Sequence, residues 1–260
     1  MVILETQKDF RGVRRLPFCY LCGDTFLEDD VTDGDHVPPK TAFNVRDREP
    51  ALKLKTHRKC NAGFSVADKK VGQLIALRRR EEPPPVRDQA LKFVTSGGMA
   101  AVTNLNIDAA VWRWVRGFHA ALYQQPLCEV PLTLRTPFPR TDDIGGQYRL
   151  QPLLEQHKLV VATIKRNRAW NNLDRIVSNR SQLQYECVWC LADDRKAWLC
   201  MFALDIYDWK DLGHSTTAIP ARGCAGIYSI KDIGAPAGAS QNRDSVIATI
   251  NDDEFDPFRA

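Results

Sequence analysis

No stretch of this chain is apolar for long enough to cross a bilayer, because charged residues interrupt every hydrophobic run and a spanning helix needs about 20 apolar residues in a row. The opening segment, MVILETQKDFRGVRR, mixes acids and bases where a secretory leader would carry its apolar core. Internal repeats are absent. So is an extreme of charge: a net charge of +4 and a pI near 8.6 permit a polyanionic partner without requiring one. With 26% charged residues and a mean hydropathy of −0.34, the chain lacks the composition of a disordered protein. Its 44% hydrophobic content over 260 residues is enough for a sizeable core, as one large domain or two small ones. These absences lead to the expectation of a cytoplasmic protein without membrane contact. In that compartment eight cysteines do not suggest a disulfide framework, and a Cys-x-x-Cys pair points first to metal.

Phe18-Cys19-Tyr20-Leu21-Cys22-Gly23 places two thiols on a tight turn, with a glycine to relax the backbone behind them. His57-Arg58-Lys59-Cys60 offers a second pair at the same spacing. Together Cys19, Cys22, His57 and Cys60 make a Cys₃His set, one of the usual ligand sets of a closed tetrahedral zinc site. A lone Cys-x-x-Cys could be two small buried hydrophobes; two pairs in this order make structural zinc the expectation.

Between the pairs lies Asp35-His36-Val37-Pro38-Pro39-Lys40, and after them Cys60-Asn61-Ala62-Gly63-Phe64-Ser65 and Asp68. In content and order these motifs resemble the HNH, or ββα-metal, endonucleases, and more narrowly a group of stand-alone bacterial HNH proteins. The resemblance covers residues 17–75. It implies a β-hairpin carrying Asp35 and His36 on its first strand, packed on a helix that begins near Cys60 and carries Asn61, with zinc tying hairpin to helix. It implies His36 as general base, Asp35 and Asn61 as ligands of a catalytic Mg²⁺ or Mn²⁺, and products with 5′-phosphate and 3′-hydroxyl ends. The chemistry agrees independently. A histidine with a pKa near 6.5 suits taking a proton from water, and a metal on hard oxygen ligands suits the developing charge of a phosphodiester under attack. Neighbours on a strand point to opposite faces, so a bend at Gly34 or the following prolines is expected to bring Asp35 and His36 together. Two positions depart from the family. His57 stands where a cysteine is usual, and the family's middle Asn has no clear counterpart in Pro50–Leu54, with Asn44 a poorly placed substitute.

From Arg46 to Arg80 eleven basic residues face three acidic ones, an excess of 11 − 3 = +8. A basic face beside a metal site suits nucleic acid, and Lys40, Arg58 and Lys59 are the expected phosphate contacts. The expected fold is α+β. An N-terminal zinc-stabilised ββα-metal domain, residues 1–82, ends at Arg78-Arg79-Arg80 and the Pro83-Pro84-Pro85 spacer. A mixed α+β domain, residues 83–260, follows, for substrate binding, dimerisation or partner contact. In it, helical spacing of Val111, Val115, Phe118 and Leu122 predicts a helix starting after Asp108. Leu127–Pro139 reads as loop or edge strand, and 146–165 as one or two strands. Residues 182–192 and 198–207 read as a hairpin turning at Asp193–Lys196, and the chain after Gly234 as a loose tail. Cys187, Cys190, Cys200 and Cys224 read as buried thiols. His119 reads as a packing residue, and the tryptophans as core more than base-stacking platforms.

Two functions follow. The first is a DNA endonuclease, RNA not being excluded, that cuts one strand per site and so would break duplexes as a homodimer or in two events. The second is a zinc-knuckle nucleic-acid-binding or adaptor protein without catalysis, acting with a protein partner. A zinc deaminase is set aside, since nothing resembles its His-x-Glu and Pro-Cys-x-x-Cys.

Overall fold

A computed structural model describes residues 1–78, 91–96, 99–136, 150–191, 197–207 and 224–230. In chain order these form β1 (Ile3–Leu4), α1 (Gln7–Val13), β2 (Thr32–His36), β3 (Lys53–His57), α2 (Arg58–Ala62), α3 (Ser65–Arg78), β4 (Phe93–Ser96) and β5 (Met99–Val102). They continue with α4 (Ile107–Tyr123), β6 (Thr133–Arg135), α5 (Leu150–Arg166), β7 (Leu173–Ser178), β8 (Leu183–Leu191), β9 (Trp198–Ile206) and β10 (Cys224–Ile230). The class is mixed α and β, as expected.

Period-two alternation builds the main sheet. Its order is β1-β7-β8-β9-β10-β6, with β1 parallel to β7 and every other pair antiparallel. The hairpin read in residues 182–207 is β8 and β9, in register from Leu183↔Ile206 to Leu191↔Trp198; its turn lies outside the described residues, as do the tail after Gly234 and the proline spacer. Leu183, Tyr185, Cys187 and Trp189 face α4, where they pack with Trp114, Val115, Phe118 and Tyr123. Val188, Met201, Ala225 and Ile227 on the opposite face pack with Leu153, Leu154, Val161 and Ile164 of α5. Both faces are buried because both are apolar, and a helix covers each.

Two readings need correction. Residues 150–166 form α5, not strands: Leu153, Leu154, Val161 and Ile164 recur at helical spacing and cover the sheet. Helix α4 begins at Ile107, two residues earlier than read, because the Asn106 side chain accepts the Ala109 N–H at 2.9 Å and so caps it. The segment 127–139 is in part edge strand, as β6 pairs with β10.

The N-terminal third shares the core of the rest. Strand β1 joins the main sheet, and Phe10, Tyr20, Val37, Leu52 and Leu54 belong to the same buried cluster as α4 and the sheet. Gly117 allows one of these contacts. A Cβ there would lie 2.8 Å from a Val37 methyl and 3.3 Å from the Tyr20 ring, so only glycine lets α4 lie against the residue that follows His36.

Candidate metal centre and the two faces of strand β2

Strands β2 and β3 form a regular five-residue antiparallel hairpin, Thr32↔His57 through His36↔Lys53, and α2 begins immediately after His57. The first Cys pair is folded by its own backbone. Gly23 N–H donates to the Cys19 carbonyl at 2.7 Å, Cys19 N–H to the Asp24 carbonyl at 2.9 Å, and Gly23 takes φ +89°. The result meets the second pair at the end of β3. The ligand atoms of Cys19, Cys22, His57 and Cys60 all lie within 4.8 Å of one another. His57 Nδ1 is 3.3 Å from Cys22 Sγ and 3.9 Å from Cys60 Sγ, spacings that suit a tetrahedral ion with Zn–S near 2.3 Å. These four side chains form a site that could hold a metal ion such as zinc. Burial pushes the Cys22 thiol up to about 12 and raises Cys60, so these sulfurs need a cation to hold them as thiolates.

Asp30 was missed by sequence reading. Its Oδ2 lies 3.1 Å from His57 Nε2, the nitrogen facing away from the sulfurs, an outer carboxylate partner that fixes the ring's orientation. Asp30 belongs to neither motif, and nothing in its spacing marks it.

Asp35 and His36 end the same strand on opposite faces. Their strand pairs continuously with β3, so the bend expected at Gly34 does not occur; the chain leaves the ladder only after Val37, whose N–H still donates to the Leu52 carbonyl at 3.0 Å. Asp35 faces the core and is 6% exposed. The Tyr20 hydroxyl donates to its carboxylate, and behind it Arg113 of α4 pairs with Asp68 of α3. Arg113 is buried too, stacked 4.4 Å from the Phe64 ring centroid, and its Nε and Nη1 have no hydrogen-bond partner among the described residues. Burial raises the Asp35 carboxyl, opposed chiefly by the Arg113 charge, and lifts Asp68 to about 6 against the same guanidinium.

His36 faces the other way. Burial lowers its pKa to about 4, aided by the charges of Lys40, Lys53 and Arg14, so at neutral pH the ring is uncharged. Its ring has no hydrogen-bond partner among the described residues. Asn61 is half-buried at the end of α2, and its carbonyl accepts the Phe64 N–H at 3.1 Å. The three expected phosphate contacts divide. Lys40 is exposed near His36, whereas Arg58 and Lys59 follow β3 at the metal end, four residues or about 13 Å along the hairpin. Arg58 is also held by Asp33, Nε to Oδ2 at 3.3 Å.

Elsewhere the expected packing roles stand. Cys187, Cys190, Cys200 and Cys224 are buried free thiols. His119 packs in the core with Nδ1 2.9 Å from the Tyr228 hydroxyl, and Trp114 and Trp189 are buried.

No protein-family model, curated protein or solved structure matches the chain.

Proposed function

We propose that the chain is a metal-dependent endonuclease of the HNH type acting on DNA. The observation that carries the reading is an uncharged His36 among three cations, on a hairpin whose other end carries a Cys₃His cluster that could hold a metal ion. The ring is unprotonated at neutral pH, as a general base must be, though burial and the cations weaken its basicity; the same cations suit a substrate of phosphodiesters. Asp35 and Asn61 supply hard oxygen donors of the kind that Mg²⁺ or Mn²⁺ prefers, and would hold one such ion; when bound, it would neutralise charge on the phosphate under attack. In this structure the Asp35 carboxylate faces the core and accepts from the Tyr20 hydroxyl, so it would have to turn outward to share an ion with a phosphate at His36. His36 would hold the proton, and Lys40 would hold the strand. Purified protein is expected to nick supercoiled plasmid with Mg²⁺ or Mn²⁺, and His36→Ala and Asp35→Ala to lose at least a hundredfold in rate. Cleavage that survives both substitutions would sink the mechanism.

A second reading has its own observation. Asp35 is turned away from His36 and already occupied by Tyr20, as suits a structural carboxylate in a nucleic-acid-binding or adaptor module. Tight DNA binding with no cleavage across several divalent metals, unchanged by His36→Ala, would favour it.

A further inference from the structure

Gly34 precedes His36 by two residues and so shares its face of β2. A Cβ built on Gly34 would lie 2.1 Å from Lys53 Cε and 3.0 Å from Lys53 Nζ. The lysine stem therefore lies across the glycine, on the side that His36 faces. Lys53 is also His36's register partner on β3. Lys40 follows on the same chain four residues later, and Arg14 comes from elsewhere, as the residue that ends α1. The capping box of Thr6 and Asp9 fixes where that helix starts. Arg14 Nε is buried with no hydrogen-bond partner among the described residues. Neither Lys40 nor Lys53 forms an ion pair or side-chain hydrogen bond among the described residues. The nearest carboxylate by sequence, Asp35, belongs to the other face.

Lys40, Lys53 and Arg14 all act on His36; three cations gathered without a counter-charge among the described residues repel one another, and an anion that joins them relieves the repulsion. Cations drawn from the end of α1, from β3 and from the segment after β2 favour a chain of phosphates over a single one.

We propose that Arg14, Lys40 and Lys53 form a cradle for the phosphodiester backbone of a nucleic acid around His36, with Gly34 kept small so that Lys53 can lie across it. The cradle rests on the reading that His36 faces the substrate, and it adds Arg14, which lies outside the hairpin and its helices.

The test uses the full chain and a fluorescein-labelled 20-base-pair DNA duplex, with binding read by anisotropy across a salt series. Arg14→Gln and Lys53→Gln are each expected to weaken binding and to reduce the salt slope by about 1. Gly34→Ala, which removes no charge but displaces the lysine head, should weaken binding in the same direction as Lys53→Gln. Lys165→Gln on α5 should change nothing. Zinc content and Tm equal to those of the unsubstituted protein establish that each variant is folded. Folded Arg14→Gln and Lys53→Gln proteins with unchanged affinity and slope would overturn the cradle, even if the protein cleaves DNA. So would capture of inorganic phosphate with no binding of duplex. If the expected losses appear but no protein cleaves plasmid with Mg²⁺ or Mn²⁺, the cradle stands and the nuclease reading falls.

Discussion

The hairpin end of the molecule and the six-stranded sheet contain the same unusual residue, cysteine, and use it in opposite ways. Around the hairpin, Cys19, Cys22 and Cys60 sit on turns and a helix start, where short spacings converge on one point with His57. In the sheet, Cys187, Cys190, Cys200 and Cys224 lie along strands whose alternation spreads them over two faces, and they serve as small apolar fillers among aromatic rings. One region gathers a ligand set that could hold a metal ion; the other is held by area removed from water. The difference teaches that three-residue spacing carries meaning only together with the element that bears it.

Removing the metal should break this contrast most sharply. A strong zinc chelator, or Cys60→Ser, is expected to open the hairpin while the sheet persists, because structural zinc contributes on the order of 10 kcal/mol to the elements it joins. Amide exchange would show it: protection lost at Leu54–His57 and retained at Tyr185–Trp189. Loss of both together would mean that the two regions unfold as one unit.

The apolar counterpart is Trp189→Ala. Trp189 is fully buried and donates from Nε1 to the Tyr123 hydroxyl at 2.7 Å. Its removal should cost about 3–5 kcal/mol and lower Tm by roughly 10 °C, with zinc content unaltered. A shift of a degree or two in calorimetry would refute the assignment of that ring to the core's centre.

The third effect is smaller and depends on pH. His157 on α5 is 3% exposed, and burial lowers its pKa from 6.5 to about 4. As pH falls through that window the unfolded chain takes up a proton that the folded chain refuses, so stability drops, by up to about 3 kcal/mol. Asp68 has the opposite sign: its pKa, raised from 3.8 to about 6, gives stability that is lost as pH rises between those values. The variant therefore isolates the histidine. His157→Gln should make the dependence of the urea midpoint between pH 7 and 4.5 shallower, leaving the part due to His36, which is lowered to about 4 as well; an unchanged profile would assign the effect elsewhere.

What the sequence disclosed follows the same division. The ligand set was legible because four residues of two motifs converge on one point, and β8 and β9 because their alternation is long and uninterrupted. Helix α5 was not, since charged residues between Leu154, Val161 and Ile164 mimic alternation, and only the sheet beneath decides the period. Asp30, Arg14 and Arg113 were illegible for a different reason. Each reaches the site from outside its motifs, Arg113 from more than seventy residues beyond His36, and such contacts exist only once the chain has folded.

Gly117 sets a limit on engineering. Because α4 presses bare backbone against Val37, the segment bearing His36 is seated on a helix that also forms one wall of the sheet. A transplant of residues 1–78 into another scaffold would carry every metal ligand yet leave Val37 and Tyr20 facing water. The smallest transferable unit therefore includes α4 and what α4 rests on.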